Sequence, residues 1–492
     1  MRSSGERHRC PPKVNCESSQ AKGPDSDDTL KSSMAAPTKQ PYNKGNLSGQ
    51  GTEARLGRSM RRQAMQLSFF ISFSGDRPSF VAEKRYYLLF PFSWKKPCGL
   101  AMRLFLFFTA VLWYTVSGSQ IHNRKILTME NQDFLTKQLI TYLGNKRALL
   151  SFIGQGIDEV RRRTGKEKLH MADLFSGSGV VSRYFKQYAA SLLTNDLEDY
   201  CRTISLCYLS NPDEAMLREI HADLLCDIET HPVEDGFVRR LYAPRDEQHI
   251  EKGERVFYTP RNAAYIDTAR AAIGRLPIDL QPYFLAPLLS EASVKCNTSG
   301  VFKGFYKDRT TGIGAFGGSA ANALSRILAP IEVPFPIFSN YKVPFTVTSM
   351  DANVLAGQME KVDIAYIDPP YNQHPYGSNY FMLNLINSGT APDADHISAV
   401  SGIPHDWHRS DYNKNTKAAE TLLDLCQKTP ADFLLISFNS EGFVGREEMQ
   451  RLLGTIGKVT VFDTTYNTFR GSRNLRERPI HLSELLYLVD KR

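Results

Sequence analysis

Four consecutive residues, Asp368, Pro369, Pro370 and Tyr371, combine a carboxylate, a rigid backbone and an aromatic ring. They follow Val362–Ile367, a mainly apolar run that is typical of a buried parallel strand. Two prolines cannot continue a hydrogen-bond ladder, so the strand must end there. Asp368 is therefore predicted at the carboxyl end of the strand, where open α/β sheets bind their ligands.

These residue types suit a nucleobase that carries an amino group. The amine could donate one hydrogen to the carboxylate of Asp368 and the other to a carbonyl beside Pro369. Donating both would aim the lone pair of the nitrogen at an electrophile. Tyr371 offers a flat ring on which a base can stack. A strand that ends in a rigid structural turn would explain the same residues, so the motif alone leaves both interpretations open.

A loop with a tyrosine and a lysine precedes the first long helix of this region. Gly144 and Asn145 permit a tight loop between Tyr142 and Lys146, and an amphipathic helix follows from Ala148. From such a loop the tyrosine would present a stacking ring, and the lysine a cation able to reach a carboxylate. An ordinary helix start with a solvent-exposed lysine is the alternative.

Phe175, Gly177 and Gly179 lie between a short apolar strand and a helix predicted over 180–188. Two glycines let the backbone turn tightly and approach a ligand closely. Ser182 stands where a dinucleotide fingerprint has its third glycine, so the loop suits a nucleoside better than a pyrophosphate.

Asp196 follows a second strand, predicted over 191–194. An acidic residue at this strand tip is placed to hold ribose hydroxyls. It follows the glycine loop by about the distance that this geometry requires. A helix cap is the alternative role.

Hydrophobic runs predict seven strands in all, joined by helices such as 416–427 and 447–453. With the glycine loop after the first strand, this order predicts an α/β fold, a Rossmann-like doubly wound sheet. The later strands are predicted over 345–350, 362–367, 432–439, 458–464 and 484–490.

Strand–helix alternation stops over 201–340, which is predicted to be an inserted, mainly helical subdomain with helices over 264–276 and 320–328. Its loop 301–309 interleaves basic and aromatic residues, which fits contact with a nucleic-acid backbone and stacking on bases. A similar segment spans 466–478. Charged, solvent-exposed loops are the alternative for both.

The chain has 492 residues, a formal net charge of +8 and eight cysteines, none of them spaced as Cys-x-x-Cys. The net charge suits a polyanionic partner, and the cysteines suit free thiols in a reducing compartment, the cytoplasm. No metal site is predicted, even near His396, His405 and His408.

Residues 1–128 are predicted to be a disordered extension outside the functional enzyme, with Met129 as the native start. The apolar run at 104–116 is too short to span a membrane comfortably.

Taken together, the motifs resemble those of the α-class, Dam-type DNA adenine-N6 methyltransferases, from Gln138 to the C-terminus. The motifs in chain order are Tyr142-x-Gly144-x-Lys146, Phe175-x-Gly177-x-Gly179, Asp196 and Asp368-Pro369-Pro370-Tyr371. The extension 1–128 has no counterpart in that family. No base-reading residue carries over from the family to the insertion.

The resemblance implies a site-specific enzyme that uses S-adenosylmethionine and flips an adenine out of duplex DNA. It implies a catalytic domain made of 129–200 and 341–492, with 201–340 as the target-recognition subdomain. Duplex DNA is the implied partner, the presence of a paired restriction endonuclease stays open, and no stable membrane association is expected. The implied cofactor contacts are Tyr142, Lys146, Phe175, Gly177, Gly179, Asp196 and Asp368, and the implied catalytic residues are Asp368, Pro369, Pro370 and Tyr371.

Several other functions stay open at this point. Cytosine N4, an RNA base or a protein glutamine could be held by the same type of motif. A dinucleotide-dependent oxidoreductase would use the glycine loop and Asp196 but would leave residues 368–371 unexplained. A non-catalytic DNA-binding protein would account for the basic loops alone.

Overall fold

The structure is a computed structural model that describes residues 129–440, 442–467 and 481–492. The predicted extension 1–128, its apolar run and most of the basic segment 466–478 lie outside the described residues. Among the helices that are described, none has both the length and the apolar character needed to cross a membrane.

One seven-stranded sheet forms the centre of the described chain, in the order β3-β2-β1-β4-β5-β7-β6. Neighbouring strands are parallel except at β7, which is antiparallel to both β5 and β6. From β1 the chain adds β2 and β3 on one side of the sheet, and from β4 it continues on the other side, so the strand order reverses between β1 and β4. This confirms the predicted Rossmann-like class. The strands are β1 (Leu169–Asp173), β2 (Ala189–Asn195), β3 (Phe345–Thr348), β4 (Val362–Ile367), β5 (Ala431–Asn439), β6 (Lys458–Asn467) and β7 (His481–Asp490).

Fourteen α-helices connect or cover these strands in the described ranges. They are α1 (Gln132–Thr136), α2 (Leu150–Thr164), α3 (Val180–Phe185), α4 (Asp199–Leu209), α5 (Glu214–Thr230), α6 (Phe237–Tyr242), α7 (Pro260–Gly274), α8 (Gln281–Val294), α9 (Leu324–Leu328), α10 (Ala352–Ala356), α11 (Tyr376–Asn379), α12 (Phe381–Ser388), α13 (Ala418–Lys428) and α14 (Arg446–Gly454).

The sheet is apolar on both faces, and β4 shows how the sequence achieves this. Ile364 and Tyr366 join the core cluster on the α2 side, whereas Ala365 and Ile367 join the cluster that contains α10 and α13. Side chains alternate between faces along a strand, so a strand that is covered on both sides reads as a continuous apolar run. This explains why the predicted bounds of β4 match the structure.

The adjacent ends of β1 and β4 create the place where a ligand can enter. The register pairs Asp173 with Tyr366, and the Leu174 amide donates to the Tyr366 carbonyl at 3.1 Å. Both strands therefore end at the same level, and Asp368 emerges beside the loop that follows β1. The predicted position of Asp368 is confirmed.

Between β2 and β3 the chain forms helices and loops that share one core cluster with α12. Tyr242, Phe257, Phe302 and Phe381 form a run of aromatic contacts with ring centroids about 6 Å apart. These contacts place the insertion against the segment that follows Asp368.

The predicted helix over 320–328 is wrong in its first half. Ala321 and Ala323 have φ values of 48° and 52°, so the helix comprises only Leu324–Leu328. The Asn322 amide donates to the carbonyl of Gly317, which closes a tight turn where the alanines would otherwise favour a helix. A neighbouring glycine thus overrides local helix propensity.

The third strand is also shorter than predicted, because it ends at Thr348 rather than at Met350. Asp351 caps α10 by accepting the amide of Asn353 at 2.9 Å, so the chain must turn before that residue.

Candidate active site

An open cavity lies at the carboxyl ends of β1, β2 and β4, with an empty volume of about 890 Å³ that includes the space open to solvent. It lies at the point where the winding of the sheet reverses, as expected for an open α/β fold. Its walls come from the loop at 142–146, the segments that follow β1, β2, β3 and β4, the start of α11 and the segment 408–413.

Many residues predicted from the sequence meet in this cavity, although they come from distant parts of the chain. Gly179, Pro369 and Tyr371 do not belong to its lining. Gly179 begins α3, and Pro369 is buried. The predicted residues that line the cavity are Tyr142, Lys146, Phe175, Gly177, Asp196, Asp368 and Pro370.

Lys146 lies between two carboxylates at the base of the site. Its Nζ is 3.0 Å from Oδ1 of Asp368 and 3.1 Å from Oε1 of Glu484. The lysine side chain is 4% exposed, that of Asp368 16% and that of Glu484 1%. Burial lowers the pKa of Lys146, but the two carboxylates outweigh it, so that the pKa lies well above its usual value. The ammonium is therefore held in its charged form.

Asp368 sits in an environment that opposes its ionisation. Burial raises the pKa of its carboxyl group to about 6, Lys146 opposes this rise and Glu484 adds to it. The carboxylate can therefore change protonation state near neutral pH, which is common for residues of functional sites.

The tyrosines that follow Asp368 hold the lysine loop in place. The hydroxyl of Tyr380 accepts the amide of Leu143 at 2.7 Å, and the hydroxyl of Tyr376 donates to the Leu143 carbonyl at 3.1 Å. The Tyr142 ring stacks on the rings of Tyr376 and Tyr380, with centroid distances of 4.9 and 4.8 Å. The loop with Lys146 is thus fixed by the segment next to Asp368.

The glycine loop after β1 approaches Tyr142 so closely that a side chain would not fit. Gly177 has a φ of +50°, and a Cβ atom there would lie 2.7 Å from the Tyr142 ring. Its amide donates to Oδ2 of Asp196 at 2.8 Å. Asp196 thus helps to shape the loop as well as lining the cavity.

Ser182, in place of a third glycine, has a structural role. Its hydroxyl donates to Oδ2 of Asp173 at 2.6 Å and ties α3 to the end of β1. Burial raises the pKa of Asp173 to about 7.

Glu198 is a cavity residue that the sequence interpretation did not assign. Its Oε2 accepts a hydrogen bond from the side-chain Nδ2 of Asn384 at 2.5 Å, and its own backbone amide donates to Oδ1 of Asp196 at 3.0 Å. Burial raises the pKa of Glu198 to about 7. Its position two residues after Asp196, on the same strand tip, was the available signal.

Glu484 was missed as well, because the sequence interpretation used it only as the start of a strand. It pairs with Asn439 in the register of β7 and β5. Because β7 is antiparallel, its early residues lie at the carboxyl ends of the parallel strands. An acidic residue early in an apolar last strand was the available signal.

Tyr371 lies beside the charged group rather than in the cavity wall. Its ring centroid is 5.6 Å from Nζ of Lys146 and 5.5 Å from the ring of Phe438.

The cavity has an excess of negative charge. Lys146 is the single lysine or arginine in the lining that the structure describes, and it is accompanied by the carboxylates of Asp196, Glu198, Asp351 and Asp368. Such a field attracts cationic ligands and repels phosphates. In the described part of the chain, no cluster of three or more acidic, histidine or cysteine side chains could hold a metal ion.

The sheet order and the position of the cavity define a Rossmann-like α/β protein whose cavity lies at the switch point, where folds of this class bind their ligands. Residues 142–437 match the model of the family described as D12 class N6 adenine-specific DNA methyltransferase. The chain belongs to this family, so the resemblance seen in the sequence is confirmed, and its activity is adenine-specific DNA methylation.

Relatives of this chain are likewise named as methyltransferases or methylases. The Type II methyltransferase M.CviAII of Paramecium bursaria Chlorella virus 1 is 30% identical over 337 residues, 67% of this chain and 93% of that protein. The Type II methyltransferase M.NlaIII of Neisseria lactamica is 26% identical over 361 residues, 72% of this chain and 99% of that protein. The modification methylase StsI of Streptococcus sanguinis is 27% identical, and 52% of its length is covered.

Proposed function

We propose that this enzyme transfers the methyl group of S-adenosylmethionine to N6 of an adenine flipped out of duplex DNA. The observation that carries the proposal is the contact between Lys146 and Asp368 in the cavity that also contains the glycine loop. This contact places the proposed cofactor site next to the proposed site for the adenine amino group.

The residues of the cavity fit this cofactor. A glycine loop that leaves no room for a side chain at Gly177 allows a ligand to approach the backbone. Asp196 can accept ribose hydroxyls, and Lys146 with Asp368 can hold the charged amino-acid portion. The excess of carboxylates suits a sulfonium ion. The proposed cofactor contacts in the cavity lining are Tyr142, Lys146, Phe175, Gly177, Asp196 and Asp368. Gly179 lies outside the lining, where it begins α3.

The protein's task in the reaction is to position the adenine amine. When bound, the cofactor supplies an already activated methyl group, so no covalent enzyme intermediate is needed. Asp368 would accept one hydrogen of the amine and the Pro369 carbonyl the other, which directs the lone pair of N6 toward the methyl carbon. Pro370 lines the cavity, and Tyr371, close to Lys146, would stack on the flipped base.

The insertion 201–340 is proposed to contact the DNA around the target, with 129–200 and 341–492 as the catalytic part. The amide of Phe302 donates to the Asn379 carbonyl at 2.7 Å, which anchors a basic loop beside the segment that follows Asp368. Lys303 and Lys307 are exposed on this loop. Exposed cations on a loop that is anchored to this segment suit phosphate contacts.

The same loop is rigid at its tip. Oδ1 of Asp308 accepts the backbone amides of Thr310 and Thr311 at 2.9 and 2.8 Å, and its Oδ2 accepts the hydroxyl of Ser319. A loop with a fixed tip loses little conformational entropy when it binds DNA.

The relatives named as Type II methyltransferases and modification methylases suggest a partner enzyme. We propose that a restriction endonuclease of the same DNA specificity accompanies this chain.

Methyl transfer from tritiated S-adenosylmethionine tests this function. Incubation with duplex DNA should label the DNA, and the same assay with RNA should give no label. Titration calorimetry should show heat with S-adenosylmethionine and none with NAD. Label in RNA alone, or no heat with S-adenosylmethionine, would contradict the proposal.

A further inference from the structure

Glu484 brings a second negative charge to the cofactor site without lining the cavity itself. Its side chain is 1% exposed, and its Oε1 is 3.1 Å from Nζ of Lys146. The hydroxyl of Ser437 donates to the same oxygen at 2.6 Å. Its other oxygen, Oε2, is buried and makes no hydrogen bond within the part of the chain that the structure describes.

Counting charges shows an imbalance in this buried group. Lys146 carries one positive charge, whereas Asp368 and Glu484 together carry two negative charges when both are ionised. A buried charge without compensation is costly, and Lys146 with Asp368 alone would already be neutral. Stability of the protein alone therefore does not explain Glu484. A bound cation would supply the compensation.

We propose that Glu484 makes the cofactor site prefer the cationic methyl donor over the demethylated product. This inference rests on the proposed function, because it takes S-adenosylmethionine as the ligand. Glu484 acts through Lys146 and through the field in the cavity, and is a positioning and charge-balancing residue rather than a catalytic one.

The chemistry of the transfer supplies the difference in charge. S-adenosylmethionine has a sulfonium, an ammonium and a carboxylate group, with a net charge of +1. During transfer the bond between sulfur and the methyl carbon breaks, and its electron pair stays on sulfur as a neutral thioether. The N6 lone pair forms the new bond to carbon, and the nitrogen then releases one proton, which leaves the site for solvent. S-adenosylhomocysteine therefore leaves with a net charge of zero.

The site loses its charge compensation when the reaction is complete. Before transfer, the ligand balances the excess charge that Lys146, Asp368 and Glu484 share. After transfer the excess remains, and a neutral product has no corresponding attraction. The raised pKa of Asp368 is consistent with an excess of negative charge in this group, because Glu484 contributes to the rise in addition to burial. Preference for the donor would limit inhibition by the accumulating product.

The experiment compares the dissociation constants of donor and product in the full-length protein. Glu484→Gln keeps the shape and the acceptor oxygen for Lys146 and Ser437, but removes the charge. The ratio of the product Kd to the donor Kd should fall about tenfold in this variant, which corresponds to a loss of about 1.4 kcal/mol of attraction for the cationic donor. Most of the change should be in the donor Kd.

Two further variants separate charge from packing. Glu447→Gln makes the same substitution on an exposed residue of α14, and its ratio should equal that of the wild type. Ser437→Ala removes the hydrogen bond to Glu484 but keeps the charge, so both Kd values should rise while the ratio stays within about twofold. Glu484→Met repeats the test without charge if the glutamine variant does not fold.

The outcomes distinguish this inference from the proposed function. If Glu484→Gln changes both Kd values by the same factor, or changes neither, the inference is overturned and the cofactor assignment stands. If the wild-type protein binds neither compound, the cofactor assignment is overturned together with the inference.

Discussion

Nζ of Lys146 lies 3.0 Å from Oδ1 of Asp368, so the loop that precedes α2 meets the tip of β4. This contact joins two motifs that are far apart in the sequence. It places a fixed cation beside the carboxylate proposed to receive the adenine amine. The glycine loop after β1 borders the same cavity, which makes one site of the three motifs.

Lys146→Met should destabilise the protein and weaken cofactor binding. The substitution leaves Asp368 and Glu484 buried without their shared cation, and breaking a buried pair in this way costs about 3–5 kcal/mol. The free energy of unfolding, measured by denaturant titration, should fall by an amount of this order. Adding Glu484→Gln should recover part of the loss, because one of the two repelling carboxylates is then neutral.

Lys428→Met is the matched control for Lys146→Met. Lys428 pairs with Asp424 at the surface, where both side chains are about half exposed. Exposed pairs contribute roughly 0–1 kcal/mol, so this variant should unfold close to the wild type. Equal stabilities of the two lysine variants would contradict the buried, shared role of Lys146.

Gly177→Ala should abolish cofactor binding or reduce it at least tenfold. The new Cβ would lie 2.7 Å from the Tyr142 ring on a backbone with a φ of +50°, so the ring or the loop must move. Titration calorimetry with S-adenosylmethionine measures the effect. Gly454→Ala, at the end of α14 with open space around its Cβ, is the control and should bind like the wild type. Unchanged affinity in Gly177→Ala would contradict the proposed role of the loop.

Methyl transfer should decline as the pH falls through about 6. The pKa of Asp368 is raised to that value mainly by burial, with Lys146 acting to lower it and Glu484 acting to raise it. Because only the ionised carboxylate can both pair with Lys146 and accept the amine, activity is retained above the pKa and lost below it. Initial rates at constant ionic strength from pH 5 to 9 measure the profile.

Variants assign this acidic limb to a residue. Glu484→Gln should move it to lower pH, since one cause of the raised pKa is removed. Glu198→Gln should leave the limb near pH 6, although burial raises the pKa of Glu198 to about 7. A rate that stays constant through this range in the folded wild-type protein would count against an ionised Asp368.

Lys303→Ala and Lys307→Ala should each weaken DNA binding uniformly across sequences. Each removes an exposed cation on the loop that Phe302 and Asn379 anchor. Loss of one phosphate contact reduces the slope of log Kd against log salt concentration by about 1. Fluorescence anisotropy at several salt concentrations measures this slope. Lys361→Ala, at the opposite end of β4, is the control, and an equal effect there would argue against a specific DNA surface.

The sequence was sufficient to predict the sheet because strands that are buried on both faces consist mainly of apolar residues. The prediction for β4 matched at both ends, and the position of Asp368 followed from the two prolines after it. Tyr142, Lys146 and Asp196 also lie in the cavity. In each case a local pattern, a strand end or a glycine-containing loop, determines where the side chain can lie.

Residues whose position depends on the tertiary arrangement could not be assigned from local patterns. Glu484 reaches Lys146 only because β7 inserts antiparallel between β5 and β6. His408 reaches the cavity from a long irregular segment with no periodicity to interpret. The sequence likewise did not show that Tyr371 lies beside Lys146 while Pro370 takes the place in the cavity wall.

The most direct measurement is the nucleoside composition of duplex DNA after incubation with S-adenosylmethionine and either the wild type or Asp368→Ala. In the variant Lys146 keeps Glu484 as its partner, so no lysine is left buried without a counter-charge and the fold should survive, as circular dichroism can check. Mass spectrometry should find N6-methyladenine with the wild type and at most about 1% of that amount with the variant. Most of the wild-type activity in a folded Asp368→Ala variant would contradict the account.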